Sequence, residues 1–246
     1  MKAKAMSSVG KVRRANEDFY GLYEKTPSFY MVADGMGGHK AGDVASKDAV
    51  SYVSKHLQKH LESGLSCNEV EGILYQSVIQ ANLGVFEKSL KEEECKGMGT
   101  TLTVAVPLKE EKKLVIAHVG DSRAYSIDRE GSRQLTRDHS LVHELIKNGD
   151  ITEAEAKEHP KRNVITRALG TEDEVQPDVF SVDFAFEPEY YLLLCTDGLS
   201  NAVEGEEIKR IILESENIEA ACEDLIDKAN ERGGKDNITV LILQGS

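Results

Sequence analysis

Four aspartates stand where hydrophobic segments meet tight turns, and they constrain the fold more than any other feature. They occur in the segments FYMVADGMGGH (Asp34), LVIAHVGDSRAY (Asp121), YYLLLCTDGLS (Asp197) and GGKDNITVLIL (Asp236). A single such junction is explained by the preference of Asp and Gly for turns. Four of them predict strand ends that converge, because a carboxylate at the tip of a buried strand needs a cation or becomes protonated. Hard divalent cations prefer such oxygen ligands.

The composition excludes several classes of protein. The 246 residues include 30 basic and 43 acidic ones, and the formal charge of −13 argues against a nucleic-acid surface or an acidic membrane as partner. We find no apolar run of about 18 residues and no secretory signal at the N-terminus. The four cysteines form no CxxC pair (Cys67, Cys95, Cys195, Cys222). They indicate reduced thiols, and we expect a cytoplasmic protein.

Hydrophobic periodicity predicts an α+β fold. Strand patterns cover 18–24, 28–33, 100–107, 113–119, 122–128, 179–184, 190–196 and 238–243. Helix patterns cover 41–61, 68–91, 204–214 and 217–232. The strands cluster and the helices come in adjacent pairs, which favours antiparallel sheets covered by helices over a doubly wound parallel sheet. We expect one domain over residues 1–246.

Residues 138–175 differ from the rest, because they are charged and have little apolar periodicity. A short helix is predicted to start at 139–142 and to end at Gly149, and the capping box Thr152-x-x-Glu155 starts a second one. This segment, called the flap below, is either a mobile cover of the kind that gates a site or a surface insertion without function. Composition alone favours neither.

The glycine-rich stretch 34–42 follows a strand and precedes a helix, as a nucleotide-binding loop does. It matches neither GxGxxG nor GxxxxGK[ST], and Asp34 at its start would repel a pyrophosphate. A cation between Asp34 and the phosphate would turn this repulsion into attraction. The flexibility of glycine at position 35 would then let its carbonyl turn inward as a further ligand of the cation.

The N-terminal segment adds the positive charge that the carboxylates lack. Glu17 and Asp18 extend the acidic set, and Arg13 lies four residues before Glu17. A guanidinium is a planar fork suited to bidentate capture of phosphate. Together these residues indicate a metal-loaded site with one cationic group for a phosphoryl ligand.

The ordered motifs resemble those of the metal-dependent protein phosphatases of type 2C, in their compact bacterial form. They are Arg-x-Asn-Glu-Asp (14–18), Val-Ala-Asp-Gly-Met-Gly-Gly-His (32–39), Gly-Met-Gly-Thr-Thr (97–101), His-Val-Gly-Asp-Ser-Arg (118–123), Thr-Arg-Asp-His-Ser (136–140), Thr-Arg-Ala-Leu-Gly (166–170), Thr-Asp-Gly-Leu (196–199) and Asp-Asn-Ile-Thr (236–239). They run over essentially the whole chain. The resemblance implies a four-layer α-β-β-α sandwich of two antiparallel sheets flanked by helix pairs. It also implies hydrolysis of phosphoserine and phosphothreonine by water or hydroxide that bridges two Mn²⁺ or Mg²⁺ ions.

The resemblance also implies a role for each site residue. Asp34 would bridge the two core ions. Gly35 would bind one of them through its carbonyl, and Glu17 would hold the waters of that ion. Asp197 and Asp236 would complete the shell of the other ion. Asp18 would tie metal-bound water, and Asp121 together with Asp197 would bind a weaker third ion.

The resemblance assigns the substrate phosphate to Arg13. The residue after Asp-Gly is Met36, where eukaryotic members have a histidine proposed as the general acid. His39 lies three residues further on, and it is either the general acid or a structural cap of the next helix.

Other polar residues have structural explanations. His118 is expected to be a hydrogen-bonded core residue, and His139 and Asp138 to anchor the first turn of the flap. Arg167 is expected to brace the flap against the body. No cysteine lies in a Cys-x₅-Arg loop, so a phosphocysteine intermediate is not expected.

The leading hypothesis is a monomeric serine/threonine phosphatase that opposes a cognate kinase. One alternative is a phosphatase dedicated to a single regulator, such as an anti-anti-sigma factor. Another is a sensing domain without activity, which would be expected to have lost at least one of Asp34, Asp197 and Asp236. All three are present.

Overall fold

Two antiparallel sheets form the centre of the protein in a computed structural model, which describes residues 1–37 and 41–246. The first sheet has the order β1-β11-β10-β7-β8, and the second has the order β2-β3-β5-β6-β9 with β4 paired to β3. The strands are β1 (Lys2–Ser8), β2 (Asp18–Tyr23), β3 (Phe29–Met36), β4 (Gly99–Thr100), β5 (Leu102–Leu108), β6 (Lys113–Val119), β7 (Arg123–Ile127), β8 (Ser132–Gln134), β9 (Asp178–Asp183), β10 (Tyr191–Cys195) and β11 (Ile238–Gln244).

Helix pairs cover the outer faces of the sheets, so the predicted four-layer α+β sandwich is confirmed. The helices are α1 (Gly42–His60), α2 (Cys67–Lys91), α3 (Leu141–Asn148), α4 (Glu153–Glu158), α5 (Asp197–Ser200), α6 (Gly205–Glu214) and α7 (Ile218–Glu231), with a 3₁₀ turn at Glu93–Cys95. Helices α1 and α2 pack on the second sheet, and α6 and α7 pack on the first.

The alternation of side chains along each strand divides the core into three layers. In β3, Met31 and Ala33 face α1 and α2, whereas Tyr30 and Val32 face the other sheet. Strand β10 does the same, because Leu193 faces the second helix pair and its neighbours face the sheet-to-sheet core. Both faces of each sheet are therefore buried, which leaves the strand ends as the place for polar groups.

The flap contains two short helices, as its capping residues predict. Ser140 accepts a hydrogen bond from the His143 N–H, and Gly149 ends α3 with φ of 79°. The capping box of Thr152 and Glu155 starts α4. No side chain of α3 is fully buried, and Ala156 is the buried residue of α4. The flap helices therefore have little apolar attachment to the sandwich.

Within the described part of the chain, none of the helices combines the length and apolarity that crossing a bilayer requires.

Candidate active site

The acidic residues of the N-terminal third meet on neighbouring strands. Asp18 begins β2 and lies directly opposite Asp34 of β3 in the antiparallel register. Thr101 fixes the second of these residues from both sides. Its hydroxyl accepts a hydrogen bond from the Asp34 N–H at 2.9 Å, and its N–H donates to the Asp34 carbonyl, also at 2.9 Å. The backbone that carries the Asp34 carboxylate is therefore held rigidly.

Glu17 is positioned by residues from remote parts of the chain. Its N–H donates to Oδ1 of Asn237 at 2.8 Å, and its carbonyl accepts from the Ser46 hydroxyl at 2.6 Å. The Asn237 amide also donates to the carbonyls of Val9 and Ala15. One asparagine beside the last acidic motif thus holds the N-terminal acidic loop in place.

Asp18 connects the two sheets from beneath the site. Its Oδ2 accepts hydrogen bonds from the hydroxyls of Thr196 at 2.8 Å and Thr239 at 2.7 Å. The side chain is buried, and Oδ1 has no partner among the described residues. An unsatisfied buried carboxylate oxygen is costly, and it calls for a donor that the protein itself does not supply.

The other three aspartates come from ends of different strands. Asp197 follows β10 as the first residue of α5, and Asp236 lies two residues before β11. Asp121 lies in the turn from β6 to β7, and the neighbouring Ser122 hydroxyl is hydrogen bonded to that of Thr101 at 2.7 Å. Asp197 accepts a hydrogen bond from the Asn201 amide at 3.0 Å through Oδ2, whereas its buried Oδ1 has no partner among the described residues.

These residues surround one cavity of about 710 Å³. Its lining includes most of the predicted site residues: Arg13, Glu17, Asp34, Gly35, Asp121, Asp197 and Asp236. Asp18 lies beneath the cavity, and the predicted acid His39 falls outside the described residues. Asn163 and Ile165 of the flap, as well as Arg14 and Met36, also line the cavity.

The carboxylates are crowded without enough positive charge to balance them. Burial, then the neighbouring charges of Asp18, Asp197 and others, raises the pKa of Asp34 well above its usual value. Burial raises the pKa of Asp18 to about 7 against the effect of its two threonine partners, and that of Asp121 also to about 7. Burial and the charge of Asp236 raise the pKa of Asp197 to about 6. Such a cluster favours the binding of cations.

Arg13 is the one predicted cationic group of the site, and its guanidinium faces the acidic cluster. Its Nη2 donates to Oδ2 of Asp236 at 2.7 Å, with the arginine side chain 48% exposed. Burial lowers the pKa of Arg13, but the contact with Asp236 and the charges of Asp34 and Glu17 outweigh this and raise it. A guanidinium has five N–H donors, so this ion pair leaves others for an anion in the cavity.

The residues present fit a divalent cation. A side chain at Gly42 would stand 2.8 Å from the carboxyl carbon of Glu17 and 2.9 Å from the carbonyl oxygen of Gly35. Glycine at this position therefore lets the Glu17 carboxyl group and the Gly35 carbonyl lie close together. Among the described residues, no three Asp, Glu, His or Cys side chains converge on one point as a complete ion site. An ion here would take part of its shell from backbone carbonyls and water, as Mg²⁺ usually does.

Comparison with known proteins identifies the family. Residues 11–237 match the family model of protein phosphatase 2C. The chain belongs to the protein phosphatase 2C family. A serine/threonine phosphatase (stp) of Listeria monocytogenes is 41% identical over 246 residues, covering 99% of this chain and 96% of the relative. The protein phosphatase PhpP of Streptococcus pneumoniae is 37% identical over 246 residues, covering 99% and 97%.

Solved structures agree with this assignment. The serine/threonine phosphatase Stp1 from Staphylococcus aureus superposes with a TM-score of 0.88 at 38% identity, covering 100% of this chain and 95% of that one. The phosphatase PstP/Ppp of Mycobacterium tuberculosis gives 0.87 at 32% identity, covering 100% and 98%. The predicted family, fold and enzyme class are therefore confirmed. Members of the phosphatase 2C family are metal-dependent in general.

Sequence reasoning named the acidic residues of this phosphatase but not the residues that hold them. Thr101, Thr196, Asn237 and Thr239 all lie within the family motifs, yet their hydrogen bonds to Asp34, Asp18 and Glu17 join residues from 67 to 221 positions apart. The available signal was their membership of these motifs, and Thr196 and Asn237 are also direct neighbours of predicted ligands. Spacing along the chain does not reveal partners so remote.

Proposed function

We propose that this phosphatase hydrolyses phosphoserine and phosphothreonine in proteins with the help of Mn²⁺ or Mg²⁺. The observation that carries the proposal is the cluster of carboxylates from several strand ends around one cavity. Two of their buried oxygens have no hydrogen-bond partner among the residues that the structure describes. The names of the Listeria and Staphylococcus relatives support the substrate class.

In this proposal Asp34 would contribute to holding two core ions. Gly35 and Glu17 would help to hold one, Asp197 and Asp236 the other, and Asp121 with Asp197 a weaker third. When bound, the ions would supply the positive charge that activates a water nucleophile and neutralises phosphoryl oxygens. The carboxylates of the chain set the position of that charge, because Thr101 and the Glu17 contacts fix their backbones.

Further residues bind and orient the reactants. Arg13 would hold the phosphate through the guanidinium donors that Asp236 leaves free. Oδ1 of Asp18, which has no partner among the described residues, would accept a hydrogen bond from a water in the site and so orient that water. His39 is proposed as the general acid, and Met36 lines the cavity without a group that transfers protons.

The cellular role follows from the same proposal. The enzyme would act as a cytoplasmic monomer, formed by a single domain over residues 1–246, that reverses the action of a serine/threonine kinase on shared protein substrates. Within residues 1–37 and 41–246, Arg13 and Arg14 are the basic residues of a cavity lining that is otherwise rich in carboxylates, so an acceptable substrate combines a phosphate with a largely neutral or basic neighbourhood.

The decisive experiment compares phosphothreonine-peptide hydrolysis with and without Mn²⁺ in the wild type and in Asp34→Asn. A neutral amide cannot serve two cations, so the variant should keep less than about a tenth of wild-type turnover while its circular dichroism is unchanged. Asp183→Asn removes a carboxylate whose side chain is 93% exposed and serves as the control. Turnover by Asp34→Asn near that of the control, or wild-type turnover that survives chelation, would contradict the proposal.

A further inference from the structure

His139, the residue that leads into the first helix of the flap, is joined to Gly120 by two hydrogen bonds. The His139 N–H donates to the Gly120 carbonyl at 2.7 Å, and the Gly120 N–H donates to Nδ1 of the histidine ring at 3.2 Å. Gly120 directly precedes Asp121 in the turn between β6 and β7. His139 is therefore hydrogen bonded to both backbone groups of Gly120, the carbonyl and the N–H, in the turn that lines the cavity.

This arrangement fixes the tautomer of the ring. Because Nδ1 accepts a hydrogen bond from a backbone N–H, it carries no proton, and in the neutral ring the proton is on Nε2. Nε2 lies 3.3 Å from Oδ2 of Asp178, so its proton faces that carboxylate, and Nη1 of Arg167 lies 3.4 Å from the same nitrogen. Oδ1 of Asp178 accepts from Arg167 at 3.3 Å. Arg167, which is expected to hold the flap against the body, thus contacts the same carboxylate as His139, that of Asp178.

A second histidine, His118, packs against the ring of His139. The ring centre of His118 lies 4.9 Å from that of His139, and the His118 side chain is fully buried. Its Nε2 donates to the Arg137 carbonyl at 3.1 Å, and its Nδ1 accepts from the Thr103 hydroxyl at 2.9 Å. With both nitrogens satisfied, His118 is the core residue that the sequence predicts, and it gives His139 a fixed surface to rest on.

The same residue holds the returning segment of the flap. The His139 carbonyl accepts from the Thr166 N–H at 2.8 Å, and the next residue, Ser140, is bridged to Ile165. Ile165 lines the cavity, as does Asn163 two residues before it. One residue is therefore bonded both to the turn that carries Asp121 and to the flap segment that faces the substrate space.

The backbone of the turn at Gly120 is tightly constrained. Gly120 has φ of 108°, a backbone conformation that residues other than glycine rarely adopt. A Cβ there would stand 2.5 Å from the Thr101 side chain. A backbone in such a region persists because its surroundings hold it. The hydrogen bonds from His139 are the contacts that do so on the flap side.

We propose that His139 is a positioning residue, which sets Asp121 and the cavity-lining edge of the flap in one fixed relation. The inference rests on the proposed function, because it assigns His139 to the catalysis of that reaction. It goes further by naming a residue outside the cavity on which turnover depends.

Two isosteric substitutions separate the two ring nitrogens. His139→Asn places an amide oxygen near the position of Nδ1, so it keeps an acceptor for the Gly120 N–H. His139→Gln places its amide near the position of Nε2, so it keeps the contact with Asp178 but loses that acceptor. Both variants lose the imidazole, so a general packing defect should affect them equally.

The first readout is amide hydrogen exchange at Gly120 in the metal-free protein. The Gln variant should exchange this amide roughly ten-fold faster or more, whereas the Asn variant should stay near the wild type. Nitrogen chemical shifts of His139 in the wild type should show the proton on Nε2. This readout does not depend on ions, substrate or activity.

The second readout is turnover of a small aryl phosphate at saturating Mn²⁺. Loss of a residue that orients a metal ligand costs roughly ten- to hundred-fold in activity, so we expect that loss in kcat for Gln, with KM nearly unchanged, and near-normal kcat for Asn. Equal exchange rates and equal turnover in the two variants, or a greater defect in Asn, would overturn the proposal. A wild type without Mn²⁺-dependent turnover would instead contradict the proposed function, and the exchange data would still test the contact.

Discussion

At the scale of single residues, the site depends on cations to relieve its carboxylates. Arg13 provides part of that relief, since its guanidinium touches Asp236 and its pKa is raised by the acidic surroundings. The side chain is half exposed and reaches the cavity from the rim. It is therefore placed to exchange a carboxylate partner for a phosphate.

Arg13→Ala should weaken phosphate binding more than it affects the ions. A charge-assisted hydrogen bond contributes about 1.5–3 kcal/mol, so the KM for a phosphopeptide, or the inhibition constant of inorganic phosphate, should rise roughly ten- to hundred-fold. Calorimetric affinity for Mn²⁺ should not fall, because Asp236 loses a competing partner. Arg129→Ala removes an exposed ion pair with Glu189 and is the matched control. Lost metal binding with an unchanged KM would assign Arg13 a structural role.

His118 should make stability depend on pH in mild acid. Burial and the neighbouring His139 lower its pKa to about 4 from the usual 6.5. In this pH range the His118 side chain is protonated in the unfolded chain but not in the folded protein. Its contribution to the free energy of unfolding is therefore fully present above pH 6.5 and is lost as the pH falls towards 4. The loss attributable to this residue is on the order of 3 kcal/mol.

Denaturant unfolding of the metal-free protein between pH 7 and 4.5 measures this effect. His118→Asn removes the titrating group, so its stability relative to the wild type should rise as the pH falls from 7 to 4.5, whereas protonation of the crowded carboxylates stabilises both proteins alike. His60→Asn changes an exposed histidine and should keep the wild-type slope. The same slope in all three proteins would show that His118 does not control acid stability.

At the scale of elements, regular patterns predicted the structure well. The helix patterns at 41–61 and 68–91 correspond to Gly42–His60 and Cys67–Lys91. Strand β1 escaped prediction because its sequence, KAKAMSS, lacks the large and β-branched residues that mark strands, and its pairing with β11 makes it one. The one-turn helix α5 escaped because Asp197-Gly198 is typical of a turn.

Prediction of the site was limited in the same way. The aspartates Asp34, Asp121, Asp197 and Asp236 could be named from the sequence because each borders a hydrophobic run, and Glu17 and Asp18 could be named from the N-terminal motif. The partners of Asp18, which lie 178 and 221 positions away, could not, because they depend on how the two sheets face each other.

The flap should affect large substrates more than small ones. Its residues Asn163 and Ile165 line the cavity, whereas α3 buries no side chain and is weakly attached. Replacement of residues 148–158 by a short Gly/Ser loop should therefore reduce kcat/KM for phosphopeptides at least ten-fold more than for an aryl phosphate, which contacts less of the flap.

A suitable control replaces the turn at 109–112, which lies at the start of β6, far along that strand from Asp121. This change should leave the ratio of the two substrates unchanged. Equal losses on phosphopeptide and aryl phosphate in the flap variant would show that the flap supports the site without selecting substrates.

At the scale of the whole molecule, the metal ions should contribute to folding. An ion that binds the folded protein alone stabilises it by about 2.7 kcal/mol at a hundred times its Kd. For a chain of this length, such a gain raises the melting temperature by roughly 5–10 °C. Calorimetric scans with excess Mn²⁺ and with chelator should show this difference.

Asp34→Asn should lose most of the Mn²⁺-dependent shift. In chelator this variant should melt no lower than the wild type, since the amide replaces a buried carboxyl group whose ionisation the neighbouring carboxylates oppose. An undiminished shift in Asp34→Asn would place the stabilising ion elsewhere on the protein.

The pairing of β1 with β11 has a consequence for the timing of synthesis. Strand β11, which follows Asp236 and contains Thr239, is inserted between β1 and β10 in the first sheet. Asp18 and Glu17 are held in part by Thr239 and Asn237, which accompany this strand. While a ribosome still holds residues 236–244 in its exit tunnel, the emerged chain lacks Asp236 and two of the residues that position Glu17 and Asp18. The nascent enzyme should therefore be inactive on phosphoproteins until these residues have left the tunnel.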